Sequence, residues 1–203
     1  MKTCYIFGAA DGLPDRFKKN EEDLVIAADS GINHLEKFGA LPDIAVGDFD
    51  SLGFVPDCGE VIRHPVMKDD TDTMAAIRHA VTVGCGEIWL YCAMGGRLDH
   101  LLGNLQAAAF AVKHGVWVRI IDRETEIRVF TGGCITVPER EGWSLSVLAL
   151  SDRCTGVSIH GTKYELENVT VENSFPIGVS NQWQGDAEIS VAAGVLAVME
   201  SKM

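Results

Sequence analysis

Residues 24–51 read LVIAADSGINHLEKFGALPDIAVGDFDS, and this stretch decides the fold of the first half of the chain. It holds two short apolar runs, 24–28 and 44–46, which are typical of buried strands, and each ends at an acidic motif. Outward from it, further strands are predicted at 4–7, 61–64, 88–92 and 116–121, with helices ending near Gly84 and Gly115. This alternation predicts a mostly parallel α/β sheet covered by helices.

The pattern changes after Asp122. Short strand-like runs follow one another, separated by Gly, Asn and Pro, and no helical period is present: 126–130, 135–137, 144–150, 157–160, 169–172, 188–191 and 195–198. We therefore predict two domains, an α/β domain over residues 1–124 and a small all-β sandwich over residues 125–203.

Composition and charge restrict the function. The chain has 203 residues, with 29 acidic and 17 basic side chains and a formal net charge of −12. It has no cluster of Lys and Arg, which argues against nucleic-acid binding. The six cysteines form no Cys-x-x-Cys pair, and no apolar run reaches the ~18–20 residues of a membrane span. These features predict a soluble, cytoplasmic protein with reduced cysteines.

Acidic residues follow the predicted strands of the first half at their carboxyl ends. They are Asp29, Asp48, Asp50, Asp69, Asp70, Asp72 and Asp99. In an open α/β sheet that edge binds ligands, so these carboxylates are expected to converge. Clustered carboxylates repel one another unless a cation or a base neutralises them, and Mg²⁺ prefers oxygen ligands. The sequence therefore predicts a magnesium site at this edge.

Structural roles for the same residues stay open at this stage. Asp70 or Thr71 can cap the helix that begins near Thr73, and Asp99 can lie in the first turn of the next helix. Asp29 and Ser30 can form a turn.

A phosphate-binding segment is predicted at GGR (95–97). The glycines permit close backbone approach, and Arg97 can bind two phosphate oxygens at a helix N-terminus. Lys68 is either a second phosphate contact or a surface lysine. No P-loop, dinucleotide-binding or protein-kinase motif is present.

The second half offers groups for a flat heteroaromatic ligand. Ser180 and Asn181 can donate and accept hydrogen bonds, and Trp183 has an aromatic face. The alternative is structural, with Tyr164 and Trp183 in the core and the Ser-Asn pair in a turn.

Taken together, the motifs AADSG (27–31), GDFDS (47–51), DDTD (69–72) and GGRLDH (95–100) with Asn104 resemble bacterial thiamine pyrophosphokinases. KYEL (163–166) and SFPIGVSN (174–181) are similar to the thiamine-binding region of that family. The resemblance spans residues 5–198. The chain departs from the family pattern around Lys163 and Tyr164, where we associate the family with Leu before the Lys and Pro after the Tyr.

The resemblance implies transfer of the diphosphate of ATP to the hydroxyl of thiamine, with Mg²⁺ as cofactor. It also implies a homodimer with thiamine at the subunit interface. Metal ligands would be Asp48, Asp50 and Asp72, and Arg97 and Asp99 would complete the catalytic set. Residues around ATP would be Asp29, Ser30, Lys68, Asp69, Thr71, Gly96 and Asn104. The pyrimidine would be read by Ser180 and Asn181, with Trp183 stacked on the thiamine ring system.

Two other functions are compatible with the acidic edge. A metal-dependent phosphoesterase would also cluster acids there, but it would release phosphate without an alcohol acceptor. A non-catalytic thiamine or nucleotide sensor would not need the intact set of acids and Arg97.

Overall fold

Residues 1–50, 52–63 and 70–203 are described in the computed structural model. Lys68 and Asp69, two of the predicted site residues, lie outside the described residues. The chain divides into two units, Met1–Arg123 and Glu124–Met203, which are described separately below. It is mostly sheet with few helices, which confirms the predicted architecture in outline.

The first unit is built on parallel strands. They are β1 (Thr3–Phe7), β2 (Leu24–Ala28), β3 (Ile44–Gly47), β4 (Glu60–Arg63), β5 (Glu87–Tyr91) and β6 (Trp117–Ile121), in the order β6-β5-β1-β2-β3-β4. Every pairing between these neighbours is parallel, so all carboxyl ends lie at one edge. The inner strands are apolar along their length because both faces of a parallel sheet are covered.

Among the described residues of this unit, three α-helices connect the strands. Helices α2 (Asp72–Thr82) and α3 (Leu98–Lys113) lie where helical periodicity predicts them, and each buries a stripe rich in alanine. Helix α1 (Ile32–Glu36) was not predicted, and it follows a single 3-10 turn, Asp29–Gly31.

A buried carboxylate, Asp23, connects the amino ends of β1 and β2 through hydrogen bonds. Asp23 accepts hydrogen bonds from the backbone N–H of Thr3 (3.1 Å) and of Asn20 (2.9 Å), and from the Asn20 side chain (3.0 Å). Burial disfavours the charged form of Asp23, but these hydrogen bonds outweigh it and lower its pKa.

The second unit contains two antiparallel sheets. Its strands are β7 (Thr125–Phe130), β8 (Gly133–Val137), β9 (Trp143–Ala149), β10 (Arg153–Thr162), β11 (Leu166–Glu172), β12 (Gly178–Asn181), β13 (Trp183–Val191) and β14 (Leu196–Lys202). They are ordered β12-β9-β14-β7 and β11-β10-β13-β8. Alternate side chains of both sheets, such as Val147 and Ile159, share one buried core, as in a β-sandwich. Strand β12 was not predicted.

Candidate active site

A cavity of about 340 Å³ opens at the carboxyl edge of the first unit's sheet; we call it the edge cavity. Its walls come from the segments after β1, β2 and β5 and from the starts of α2 and α3. They are Ala9, Ala10, Ala28, Asp29, Thr71, Asp72, Thr73, Cys92, Ala93, Gly95, Gly96, Arg97, His100 and Asn104. Of the predicted site residues, Asp29, Thr71, Asp72, Gly96, Arg97 and Asn104 lie together here. Ser30, Asp48, Asp50 and Asp99 are not part of this wall.

Glycines let the strand ends approach closely behind the cavity. A Cβ on Gly31 would lie 1.9 Å from the carbonyl oxygen of Phe7, and one on Gly8 would lie 2.6 Å from that of Cys92. Neither distance is possible for a real side chain, so both positions require glycine. Asp29, which directly follows β2, has a left-handed backbone with φ 52°. A left-handed non-glycine residue is uncommon, and such conformations cluster at functional sites.

The start of α2 supplies both a cap and an acid. The Thr71 hydroxyl accepts a hydrogen bond from the backbone N–H of Met74 at 3.1 Å, so Thr71 is the N-cap residue. Asp72 occupies the first helical turn, where backbone N–H groups and the helix dipole favour negative charge. Asp70 instead forms an ion pair with Arg78 at 3.4 Å.

Arg97 and Asp99 form a two-point ion pair at the mouth of the cavity. Arg97 Nε lies 3.1 Å from Asp99 Oδ1, and Nη2 lies 2.6 Å from Oδ2. Hydrogen bonding to Arg97 lowers the pKa of Asp99, and the same hydrogen bond raises the pKa of Arg97. Both side chains are mostly exposed, so the pair is weakly held. An incoming phosphate would compete with Asp99 for the guanidinium.

Asn104 fixes the back wall. Its buried side-chain Nδ2 donates to the carbonyl oxygen of Ala93 at 2.8 Å, and both residues line the edge cavity. This hydrogen bond ties the second turn of α3 to the segment after β5.

Asp48 and Asp50 flank a buried aromatic residue. Phe49 is only 3% exposed, and its backbone is left-handed with φ 61°. The backbone N–H of Asp50 donates to Asp48 Oδ1 at 3.1 Å, which orients the Asp48 carboxylate. A Cβ on Gly47 would lie 3.5 Å from the Phe49 ring and 3.3 Å from Asp29 Cα, so this loop packs against the start of the 3-10 turn.

The predicted metal ligands fit Mg²⁺ by their chemistry. Within residues 1–50, 52–63 and 70–203, no three His, Cys, Asp or Glu side chains form a preassembled metal cage. Mg²⁺ does not need one, because it is usually held by one or two carboxylates together with substrate phosphates and water. Asp48, Asp50 and Asp72 offer only carboxylate oxygens, which suits this hard cation.

Sequence reasoning did not identify several wall residues, including Ala9, Ala10, Cys92 and Ala93. The available signal was position, since GAA (8–10) and CA (92–93) directly follow β1 and β5 at the same edge. Burial raises the pKa of the Cys92 thiol to about 12, so it is protonated at neutral pH and is not a nucleophile.

The second unit has a smaller cavity of about 220 Å³, which we call the sandwich cavity. It is mostly apolar, and its wall consists of Ile159, Tyr164, Leu166, Ile177, Gly178, Val179 and Asn181. Ser180 is exposed with φ 58°, and its backbone N–H donates to Ser146 Oγ at 3.0 Å. Of the three predicted thiamine-binding residues, only Asn181 lines this cavity.

The Asn181 amide is fully used inside the second unit. Its Nδ2 donates to Thr162 Oγ1 (3.0 Å) and to the Tyr164 carbonyl (2.8 Å). Its Oδ1 accepts from the backbone N–H groups of Tyr164 (3.0 Å) and Gln182 (2.9 Å). An amide has two donors and two acceptor positions, so none is left for a ligand. This geometry does not support the predicted direct contact with a pyrimidine.

Trp183 packs against the core of the second unit. It is partly buried there, and its indole N–H is enclosed without a hydrogen-bond partner among the described residues. This placement agrees with the core alternative for Trp183 that was left open above.

These features define a class of protein. The first unit is a parallel α/β sheet with a cavity lined by Asp29, Asp72 and Arg97 at its carboxyl edge, and the second is a β-sandwich with a mostly apolar cavity of its own. Residues 17–120 match the family model "Thiamin pyrophosphokinase, catalytic domain", and residues 134–196 match "Thiamin pyrophosphokinase, vitamin B1 binding domain". The chain belongs to the thiamine pyrophosphokinase family, whose members transfer pyrophosphate from ATP to thiamine.

Individual relatives agree with this assignment. A thiamine pyrophosphokinase of Bacillus subtilis is 28% identical, with 99% of each chain covered. Its crystal structure superposes with a TM-score of 0.86 at 27% identity and 99% coverage of both chains. A Geobacillus thermodenitrificans thiamin pyrophosphokinase structure gives 0.82 at 28% identity, covering 100% of this chain and 98% of the other.

The resemblance, enzyme class and reaction predicted from the sequence are confirmed by these matches. Neither the phosphoesterase nor the non-catalytic alternative gains support. No helix among the described residues is long and apolar enough to cross a membrane.

Proposed function

We propose that this chain makes thiamine diphosphate and AMP from thiamine and ATP, with ATP bound at the edge cavity. The observation that carries the proposal is the common location of Asp29, Asp72, Arg97 and Asn104, which come from separate motifs and line one cavity. Thr71 and Gly96, which also line the cavity, would surround the nucleotide, and Ser30 is kept as an ATP contact on the family resemblance alone. Lys68 and Asp69 are kept as ATP contacts on the family resemblance alone.

The reaction itself needs positioning and charge neutralisation. The thiamine hydroxyl oxygen attacks the β-phosphorus of ATP, the bond from that phosphorus to the α,β-bridging oxygen breaks, and AMP leaves with that oxygen. The hydroxyl proton passes to a carboxylate at the edge or to water. Holding both substrates in line supplies much of the rate enhancement. Arg97 would bind phosphate oxygens as charge shifts towards AMP. Asp99 would orient Arg97 through their two-point ion pair.

We assign the magnesium ion to Asp48, Asp50 and Asp72. When bound, Mg²⁺ would neutralise phosphate charge. Asp72 lines the edge cavity, while Asp48 and Asp50 are held on the loop after β3 by the buried Phe49. The acidic edge also favours the positively charged thiazolium ring of thiamine.

We assign part of the thiamine site to the sandwich cavity. Its volume of about 220 Å³ is below the ~300–1,000 Å³ of typical ligand pockets, so one copy of this unit encloses only part of a ligand. Three of its wall residues, Tyr164, Ile177 and Val179, expose half or more of their surface, as does Phe175. Exposed apolar patches mark interaction sites, and this one supports a homodimer in which a second copy completes the thiamine site.

Product analysis tests the reaction. The protein is incubated with ATP, Mg²⁺ and thiamine, and the products are separated by chromatography. We expect AMP and thiamine diphosphate in equal amounts. Accumulation of ADP with thiamine monophosphate would show an ordinary kinase instead, and phosphate release without thiamine would show a phosphoesterase.

Sedimentation tests the assembly. The unmodified protein should sediment as a dimer, and Ile177→Asp should shift it towards monomer and weaken thiamine turnover. Leu41→Asp is the control, because Leu41 is an apolar residue of the first unit that is exposed at 68%, against 50% for Ile177. A monomeric parent protein with normal turnover would contradict the dimer proposal.

A further inference from the structure

The loop between β10 and β11 presents an aromatic ring to the sandwich cavity. It comprises residues 163–165, and the Tyr164 side chain lines the cavity while remaining 61% exposed. A ring with so little packing around it can only hold a defined position if the backbone beneath it is fixed. The position of the ring therefore depends on the groups that fix the backbone of Tyr164.

One side chain holds Tyr164 at both of its backbone polar groups. Asn181 accepts from the Tyr164 N–H and donates to the Tyr164 carbonyl, at 3.0 and 2.8 Å. Asn181 is itself 3% exposed, so these hydrogen bonds are shielded from water. Buried, fully satisfied polar networks rigidify the structure around them.

Neighbouring groups reinforce this arrangement. The buried Thr162 hydroxyl donates to the Tyr164 carbonyl at 3.2 Å and accepts from Asn181 Nδ2 at 3.0 Å. Glu165 Oε1 accepts from the Gly161 N–H at 2.9 Å, and the Lys163 N–H donates to the Gln182 carbonyl at 2.8 Å. Hydrogen bonds of the Thr162 and Glu165 side chains thus shape the loop on either side of Tyr164.

We propose that Asn181 is a positioning residue that acts on thiamine through Tyr164: it fixes the Tyr164 backbone so that the ring forms a preorganised wall of the thiamine site. The inference rests on the proposed thiamine site in the sandwich cavity. A preformed wall lowers the ordering cost of binding, so its loss should weaken thiamine binding. ATP is assigned to the other unit and should bind as before.

A double-mutant cycle tests the proposal. We expect Tyr164→Ala to raise the thiamine KM roughly 10-fold and Asn181→Ala to raise it about 3- to 10-fold, with the ATP KM and kcat little changed. Because Asn181 acts through Tyr164, the double variant should show no larger KM than Tyr164→Ala alone. Multiplied effects, on the order of 30- to 100-fold, would overturn the proposal and show that Asn181 acts independently of Tyr164.

Two further variants keep the test decisive. Thr162→Val removes the bridging hydroxyl with little change in shape, and it replaces Asn181→Ala in the cycle if that variant does not fold. Ser151→Ala controls for lost stability: Ser151 Oγ donates to the Arg153 carbonyl (2.9 Å) and accepts from the Val195 N–H (3.0 Å), at the opposite end of β10. It should lower Tm and leave the thiamine KM unchanged.

The outcomes distinguish a wrong assignment of thiamine to the sandwich cavity from a wrong positioning role for Asn181. An unchanged thiamine KM in Tyr164→Ala, with normal formation of thiamine diphosphate, would refute the assignment of thiamine to the sandwich cavity. A raised KM in Tyr164→Ala together with an unchanged KM in Asn181→Ala would refute only the positioning role. A Ser151→Ala variant with a raised thiamine KM would attribute the effects to general destabilisation and also refute it.

Discussion

Replacing Trp183 by alanine distinguishes a core residue from a ring that stacks on thiamine. Complete burial makes a Trp→Ala change cost about 3–5 kcal/mol, and Trp183 is only partly buried against the core of the second unit. We therefore expect a loss of about 1.5–3 kcal/mol. At roughly 2–4 °C per kcal/mol for a chain of this size, Tm should fall by about 3–12 °C.

The matched variant is Trp183→Phe. It keeps most of the apolar contact and removes the indole N–H, which is buried without a partner among the described residues. Its stability should stay within about 1 kcal/mol of the parent protein, because losing contact area and losing an unsatisfied donor act in opposite directions.

Thermal unfolding by calorimetry and thiamine KM by an AMP-release assay complete the experiment. If Trp183 is a core residue, Trp183→Ala lowers Tm and leaves the thiamine KM within about twofold. The reasoning is refuted if Tm is unchanged while the thiamine KM rises roughly 3- to 30-fold, the range that a cation on an aromatic face would give.

Three other changes have defined outcomes. Arg97→Ala should lower kcat/KM for ATP by about 10²- to 10³-fold without changing Tm, whereas Arg153→Ala, whose side chain is equally exposed at 71%, should leave turnover unchanged. Asp48→Asn or Asp50→Asn should lower kcat roughly 100-fold at limiting Mg²⁺ with the fold intact, and near-normal rates would contradict the metal assignment. Asp23→Asn should destabilise the protein at neutral pH. Since folding lowers the Asp23 pKa, the advantage of the parent protein should be present above the ordinary pKa of 3.8 and disappear as pH falls through the lower folded value, as urea titrations at several pH values would show.

Strong local patterns made much of the fold predictable. Strands β1, β2, β3, β5 and β6 contain short apolar runs with a Gly or Asp next to at least one end, and α2 and α3 carry several turns of helical periodicity. Helix α1 was not predicted because its five residues are too few to show a helical period. It is stabilised by tertiary packing, since Ile32 and Leu35 are buried in the aromatic core on one face of the sheet.

Strand β12 was not predicted for a different reason. Only four residues long, it pairs with β9, and Gly178 lies so close to Val147 that a Cβ would be 2.3 Å from that residue's carbonyl oxygen. The sequence shows a Gly and a Ser-Asn pair there, which are typical of turns, and it cannot show a partner strand some 30 residues earlier.

The edge cavity could be predicted from the sequence, whereas the surroundings of Asn181 could not. Topology alone predicts that acids after parallel strands meet at one edge, and Asp29 and Asp72 line the same cavity. By contrast, two of the three hydrogen-bond partners of Asn181, Tyr164 and Thr162, lie 17 and 19 residues earlier in the chain. Sequence spacing alone cannot distinguish a side chain whose hydrogen-bonding groups are occupied by residues distant in the chain from one that contacts a ligand.

Phe49 imposes two incompatible demands on any replacement. Glycine would accept the left-handed backbone but would leave the hydrophobic space empty, and valine or isoleucine would fill part of the space but resist that backbone. The positions of the Asp48 and Asp50 carboxylates therefore depend on how Phe49 packs in the interior. Engineers who wish to alter metal or nucleotide preference should leave residues 48–50 untouched and diversify exposed residues further along the chain, such as Phe54 and Val55.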